Sequence, residues 1–467
     1  MKNNTSRGTT STTTRKNQNR GRQSRKPHHG SASRMLERKA VRKERRAFKR
    51  LKKYVFKLFT KKEIEQLARE CEFLKREGEP KIPAFEFVLC CALAATVEGK
   101  RGFASVWRLL ASACGIETAR SAVTQRFGKG AAALMQKVFE RAVSRLPATE
   151  IPELLGRLEG FAQVLADDGS VLKLKPLLEK LFPATRTNSM AAAAKLHVRA
   201  DLVNRRIIHV ELTGERESEI AVARKEPIAP NTLYMADLGY TSYDYYEELK
   251  EGGAELLFRL KDNANPRVVE VRHGIFAPKR SEGMKLNDVE ICRTHDTFDL
   301  DASFPTKEGS VTLRVVGCYN PETDKYHCYA TTLSPELFTP EELASLYSLR
   351  WIIELLFKLL KSSCHLDHLN TSSPDALRTH IYASLLAATI LSAMAVAAAE
   401  EAGIPINQIS VLTMGIAAGL MAIPLMLLWL ERELTYDELA AIIMRTIIVG
   451  CRDQNPTRTK KKWGVLG

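Results

Sequence analysis

Acidic residues are nearly missing from the first 53 positions. That stretch holds 19 Lys and Arg, from Lys2 to Lys53, against only Glu37 and Glu44, a net of +17. The whole 467-residue chain carries +16, so the remaining 414 residues, with 51 basic and 52 acidic groups, are close to neutral. The basic excess therefore belongs to an arm, and its sign suits an acidic polymer such as DNA. Residues 1–30 also lack aromatics and are poor in large apolar side chains, which excludes a core there and predicts disorder in isolation. The same poverty leaves no apolar stretch of the kind a secretory leader needs. C-x-x-C pairs are absent as well. The nine cysteines, at 71, 90, 91, 114, 292, 318, 328, 364 and 451, are odd in number. Zinc fingers and a disulfide framework are thus disfavoured, and a reducing cytoplasm fits better. Long apolar runs occur only near the C-terminus, at Ile381–Ala399 and Val411–Leu430. The first is mostly Ala and the second contains Pro424, so buried core helices explain them more simply than membrane spans.

The pattern divides the chain into a basic arm (1–33), a helical domain (34–148), a sheet-forming region (149–261), a β-rich insertion (262–333), a capped helix (334–370) and a helical C-terminal region with a basic tail (371–467). Thr60 and Glu63 form a predicted capping box, with Phe59 and Ile64 at staple positions. Helical periodicity follows at Phe85–Val97, Phe103–Ala113 and Ser121–Val143. The stretch GIETARSAVTQRFGKG fits either a helix-turn-helix or ordinary helical packing. After Pro147 the period shortens, and strands are expected at Phe161–Ala166, Lys195–Val203, Arg206–Thr213, Thr232–Ala236 and Ala254–Lys261. Helical segments near Ser218–Arg224 and Ser242–Lys250 interleave with them, so the region reads as a mixed α/β sheet. In the insertion VTLRVVGCY and KYHCYATTL are the clearest strands, joined by the turn sequence NPETD. One helix is then predicted from Thr339 to about Ser362, with Pro340 at its first position and Glu342 completing a second capping box.

Three acids stand where an open sheet places ligands for a hard cation: Asp168 in ADDGS, Asp237 in YMADLGY directly after a strand, and Glu354 in the capped helix. Asp167 is the alternative to Asp168. Each acid also has an ordinary reading, as a turn residue or a helix ion pair. The glutamate helix supplies a more specific arrangement. Tyr347, Arg350, Glu354 and Lys361 are spaced 3, 4 and 7 residues apart. On a continuous helix they would fall within about 60° of one another. A stripe of phenol, guanidinium, carboxylate and ammonium suits a surface on which a phosphodiester lies. The competing account is a structural salt-bridge face.

With every spacing of Y-x2-R-x3-E-x6-K kept and Trp351 following Arg350, the sequence resembles bacterial insertion-sequence transposases of the DDE type, in the group marked by that signature. DGS at Asp168 and DLGY at Asp237, followed by YYEEL and LLFRLK, resemble the two aspartate blocks of that group. The resemblance implies an α/β ribonuclease-H-like catalytic core with a β-rich insertion, preceded by an all-helical domain. It further implies cut-and-paste transposition with two Mg²⁺ ions, replaceable by Mn²⁺, on Asp168, Asp237 and Glu354. Tyr347, Arg350, Lys361, Lys358 and Arg259 would contact double-stranded DNA, both the terminal inverted repeats and the target. A homodimer would hold two ends in a synapse, in the nucleoid-associated cytoplasm. Relatives that form hairpins use a tryptophan of the insertion to stack on a flipped base. Here Trp is missing between Trp107 and Trp351, which leaves Phe298, Phe304, Tyr319 and Tyr326 as candidates.

An end-binding protein that has lost cutting, and a structure-specific nuclease of the same fold, are the alternatives. If the arm contacts phosphates alone, deleting residues 1–33 weakens binding to all DNA sequences alike and flattens its salt dependence, as measured by titrations across a salt series. A loss confined to the element's ends would contradict this.

Overall fold

Strand β1 (Gln163–Lys173) is the axis of one nine-stranded sheet, ordered β3-β2-β1-β4-β5-β9-β8-β7-β6. The computed structural model describes residues 44–444, apart from 76–77, 97–101, 117, 147–157, 159, 186–190, 204–205, 293–294, 368, 431–434, 438–439 and 441–443. The basic arm, the basic tail and the expected turn at 204–205 lie outside the described residues. On one side of β1, strand β2 (Ala193–Asp201) runs antiparallel to it and β3 (Arg206–Gly214) runs antiparallel to β2. Strands β4 (Thr232–Ala236) and β5 (Glu255–Arg259) run parallel to it on the other.

The insertion continues this sheet. Strand β9 (Lys325–Thr331) pairs antiparallel with β5, and β8 (Ser310–Asn320), β7 (Thr297–Pro305) and β6 (Arg267–His273) follow outward. The NPETD sequence makes the β8–β9 turn, where Asn320 Oδ1 accepts from the Glu322 amide at 2.9 Å and Asp324 takes φ 52°. Gly317 faces Phe298 across the β7–β8 ladder. A Cβ on Gly317 would lie 2.1 Å from the Phe298 ring, so the ring fills the place a side chain would take.

Side chains alternate between two cores, as the period of two demands. On β1 and β4, Val164, Ala166, Leu233 and Met235 join the core that contains most of the helices, while Leu165, Tyr234 and Ala236 join a second core with Tyr245 and Tyr246. The helices are α1 (which includes residues 44–54), α2 (Lys61–Glu70), α3 (Ala84–Ala94), α4 (Phe103–Ser112), α5 (Arg120–Arg126), α6 (Lys129–Ser144), α7 (Glu219–Ala223), α8 (Tyr243–Glu251), α9 (Pro278–Ser281), α10 (Pro340–Ser348), α11 (Trp351–Ser362), α12 (Pro374–Ala402) and α13 (Val411–Trp429). Both expected capping boxes form, at Thr60–Glu63 and Thr339–Glu342. Helix α12 packs against α3, α6 and α13, so the N-terminal and C-terminal helices share one core. By length and composition α12 is apolar enough to cross a membrane, yet 83% of its apolar window is buried inside the protein.

Three expectations need correction. The first strand does not end at Ala166: Asp168 to Lys173 continue it by pairing with β2, from Val198 to Ala193. The segment Ser121–Val143 is two helices, because Phe127 and Gly128 interrupt it and Gly128 starts α6. The predicted helix from Thr339 to Ser362 is also two. Leu349 N to Leu346 O (3.1 Å), Arg350 N to Tyr347 O (3.1 Å) and Ile353 N to Arg350 O (3.0 Å) are three-residue bonds that tighten the chain between α10 and α11.

The insertion is tied to α10 by a buried ion pair. Arg314 Nη2 lies 2.6 Å from Asp299 Oδ2, and its Nη1 donates to the carbonyls of Leu333 (3.1 Å) and Phe338 (2.9 Å), just before the α10 cap. Replacing Asp299 with Ala strands a buried guanidinium and is expected to cost about 3–5 kcal/mol, measured by denaturant unfolding. A change below 1 kcal/mol, by the same measurement, would show that the pair is not holding this corner.

Candidate active site

Because β1 and β4 are parallel with Asp167 level with Ala236, the next residues along, Asp168 and Asp237, emerge side by side where β4 ends. Neighbouring strands are about 4.8 Å apart, so two acids at this position are forced close. Asp168 sits in the middle of a long strand rather than in a turn, beside the point where the neighbouring strand β4 ends. It is buried, and its Oδ1 accepts from the Gly169 amide at 2.8 Å. Asp237 caps a 3-10 turn, Leu238–Tyr240, accepting from the Gly239 amide at 2.8 Å.

The glutamate comes from the helical side. Tyr347, on α10, donates from its hydroxyl to the carbonyl of Ala236 at 3.2 Å, which pins the α10–α11 junction beside Asp237. Arg350, at the junction, reaches Asp168 Oδ2 at 3.4 Å through Nη1 and pairs closely with Glu354 through Nη2. One guanidinium thus bridges two of the three acids. Burial raises the Asp168 carboxyl against the opposing pull of Arg350, and with the added push of the nearby Asp237 and Glu354 it stands at about 7. Asp168 therefore senses both other carboxylates.

Asp167 occupies the opposite face. Arg199 grips it through Nε (2.7 Å) and Nη2 (2.8 Å), and the Tyr234 hydroxyl donates to it at 2.7 Å. Its lone pairs are committed to this buried cluster, whereas Asp168 points to the helix side. The basic residues divide too. Arg259 ends β5, and its charge bears on Tyr347, Tyr329 and His327. Lys358 is exposed and Lys361 half-buried, and neither makes an ion pair among the described residues. The single stripe expected of Tyr347, Arg350, Glu354 and Lys361 is correspondingly split. Tyr347 is buried, Arg350 and Glu354 face Asp168, and the two lysines lie one and two turns farther along α11.

The candidates for base stacking divide in the same way. Phe298 and Phe304 are fully buried, so the expectation fails for them, and Tyr326 is half-buried with its hydroxyl on the His295 carbonyl at 2.8 Å. Tyr319 is 38% exposed. Sequence reasoning missed Arg199, Tyr234 and Tyr240. In β2, Lys195, His197, Arg199 and Asp201 alternate with apolar residues, so the sequence offered no signal that set Arg199 apart from a polar strand face. Tyr240 is buried amid Asp167, Glu219, Asp168 and Asp237, and its phenol stays protonated because of that burial and those charges.

Among the described residues no three His, Cys, Asp or Glu side chains are gathered tightly enough to hold a metal ion as they stand. The donor chemistry nonetheless fits a hard divalent cation: three carboxylates approach from two strands and a helix, and Arg350 already supplies positive charge between two of them.

Residues 159–390 match the family described as the transposase DDE domain. The chain is 20% identical over 365 residues to the transposase of insertion sequence IS231F from Bacillus thuringiensis subsp. israelensis, covering 70% of this chain and 76% of that protein. It is 20% identical over 392 residues to the transposase of IS1151 from Clostridium perfringens, covering 74% and 80%. A segment of 78 residues is 40% identical to a putative transposase of IS186A from Escherichia coli K12, covering 17% of this chain and 21% of that one. A piggyBac transposase in a synaptic complex with hairpin DNA is similar at a TM-score of 0.42 with 11% identity over 89% and 88% of the two chains, too slight a likeness to carry weight. From the match to the domain and to these relatives, the chain belongs to the DDE transposases of bacterial insertion sequences.

Proposed function

We propose that this transposase binds the ends of its own element as double-stranded DNA and catalyses metal-dependent strand cleavage and strand transfer on a ribonuclease-H-like core. The observation that carries the reading is the meeting of Asp168, Asp237 and Glu354 at one sheet edge, where parallel β1 and β4 set the two aspartates side by side and Arg350 bridges Asp168 and Glu354. The strand order β3-β2-β1-β4-β5, antiparallel then parallel, supports the assignment of the core.

The residues that would hold Mg²⁺ are Asp168, Asp237 and Glu354. When bound, the two ions supply an activated attacking oxygen and a stabilised leaving oxygen. The rest of the work falls to the chain itself. Arg350 balances the acids before any cation arrives, and its fork is then released to take phosphate oxygens. Lys358 and Lys361 extend positive charge along α11, and Arg259 does the same from β5. Tyr347 keeps the helix junction fixed to the end of β4 so that Glu354 stays in reach. In this reading Tyr319, the most exposed of the four insertion aromatics, would be the ring that stacks on a flipped base. A homodimer would bring two ends together on the nucleoid.

Cleavage of a plasmid carrying the DNA that flanks this gene tests the reading. Wild type is expected to cut at the element ends in Mg²⁺ but not in EDTA, while Glu354→Gln binds the ends and loses cutting by at least about 100-fold. Binding by both proteins with no cutting under any divalent ion would replace this reading with end binding alone.

The raised Asp168 carboxyl gives a second test, in the absence of metal. Its folded value of about 7 exceeds the ordinary 3.8, so the folded protein holds a proton that the unfolded chain releases. Stability from this group is present below the ordinary value and is lost as pH rises through the folded one. Asp168→Asn removes that loss. In EDTA the variant is expected to melt higher than wild type at pH 8 and alike at pH 4, as measured by thermal unfolding. An equal gap at both pH values would contradict the assignment.

A further inference from the structure

On the face of the sheet opposite α11, an acid absent from the sequence reasoning approaches the glycines that follow both aspartates. Glu219 is the first residue of α7. A Cβ built on Gly169 would lie 3.2 Å from Glu219 Oε1, and one built on Gly239 would lie 2.0 Å from Glu219 Oε2. Asp237 Oδ1 is 3.0 Å from that same Gly239 point, so the Glu219 and Asp237 carboxylates flank one small space. Neither glycine has a left-handed backbone, whereas Gly253 and Gly274 do, at φ +74° and +77°. A side chain at Gly239 would displace the Glu219 carboxylate and one at Gly169 would press on it, so the approach of that carboxylate and not the turn is what favours a bare Cα here.

The two glycines directly follow the site: Gly169 comes one residue after Asp168, and Gly239 two residues after Asp237. Lys195, from β2, runs over Gly169 with its Cδ 3.5 Å from the Cβ point, and its Nζ lies 3.3 Å from Glu219 Oε1. The lysine thus holds the oxygen that faces Gly169, while the other oxygen is turned toward the Asp237 turn. Side-chain exposures of 15% for Lys195 and 22% for Glu219 mean that these charges are only partly screened.

We infer that Glu219 is a positioning residue for the Asp237 end of the site. Tethered by Lys195, its carboxylate wedges between Gly169 and Gly239 and sets the spacing between the strand that carries Asp168 and the turn that carries Asp237. It also adds negative charge beside Asp237, which favours a divalent cation there over the bare turn. The inference deepens the function proposed above and rests on it.

Titration calorimetry of the full-length protein with Mn²⁺ alone, at pH 8 and without DNA, tests it, alongside thermal unfolding in EDTA. Glu219→Gln keeps the shape and removes the charge, and is expected to weaken Mn²⁺ binding about 10–100-fold with no fall in melting temperature. Gly239→Ala leaves Glu219 in the chain but evicts its carboxylate, and is expected to lose affinity to a similar degree. The double variant should be no worse than either single one, because both remove the same contact. If wild type binds Mn²⁺ and Glu219→Gln binds within twofold of it, the inference is wrong and the three-carboxylate reading survives. A loss of affinity matched by a clear fall in melting temperature would make Glu219 a structural prop and overturn its role toward the cation. A wild type that binds no Mn²⁺ removes the metal-dependent reading itself, and this inference with it.

Discussion

Carboxylates brought together away from water repel one another, and that constraint organises the centre of this protein. Asp168 and Asp237 are neighbours because parallel strands carry them to the same edge, and Glu354 is delivered against them by a helix pinned through Tyr347. The Asp168 carboxyl is held near neutrality of pH by burial and by its acidic neighbours even with Arg350 alongside. A site of this kind is unfavourable to the fold until something cationic enters it. The arrangement is consistent with a scaffold that is built to be completed by a ligand and not to be most stable alone.

The neighbouring acid on the same strand meets the opposite fate. Asp167 projects into the second core, where Arg199 and Tyr234 satisfy both of its oxygens. A buried, fully bonded ion pair behind a frustrated carboxylate makes β1 rigid where the chemistry is proposed to occur. Two consecutive aspartates thus serve stability and function separately, and the division follows from nothing more than the alternation of side chains along a strand.

The insertion adds to this frame by extending it. Its strands join the edge of β5, so the sheet runs without interruption from the site to β6. Arg314 and Asp299 then fasten the insertion to the residues that lead into α10. Helix α10, which leads into the helix that supplies Glu354, is therefore held from two sides, by the core through Tyr347 and by the insertion through Arg314. Burial of Phe298 over Gly317 belongs to the same economy of packing, and it removes that ring from any contact with DNA.

Local chemistry was legible in the order of residues. The two capping boxes, the strand–turn–strand of NPETD, the alternating runs of β2 and β3 and the short apolar run of β4 depend on neighbours a few positions apart, and they form where the sequence places them, β2 two residues earlier than expected. The three acids and the spaced residues of the glutamate helix were legible as candidates for the same reason. What the sequence could not decide was set by distant partners. The extent of β1 past Asp168 comes from β2, which pairs with it from across a loop, and the choice between Asp167 and Asp168 comes from which face Arg199 occupies. The break between α10 and α11 rephases the expected stripe, since three-residue bonds at Leu349 and Arg350 advance the chain differently from an α-helix. Glu219 carries no local signature at all. It matters only because folding brings it against two glycines, 50 and 20 positions away in the chain, that leave room for its carboxylate.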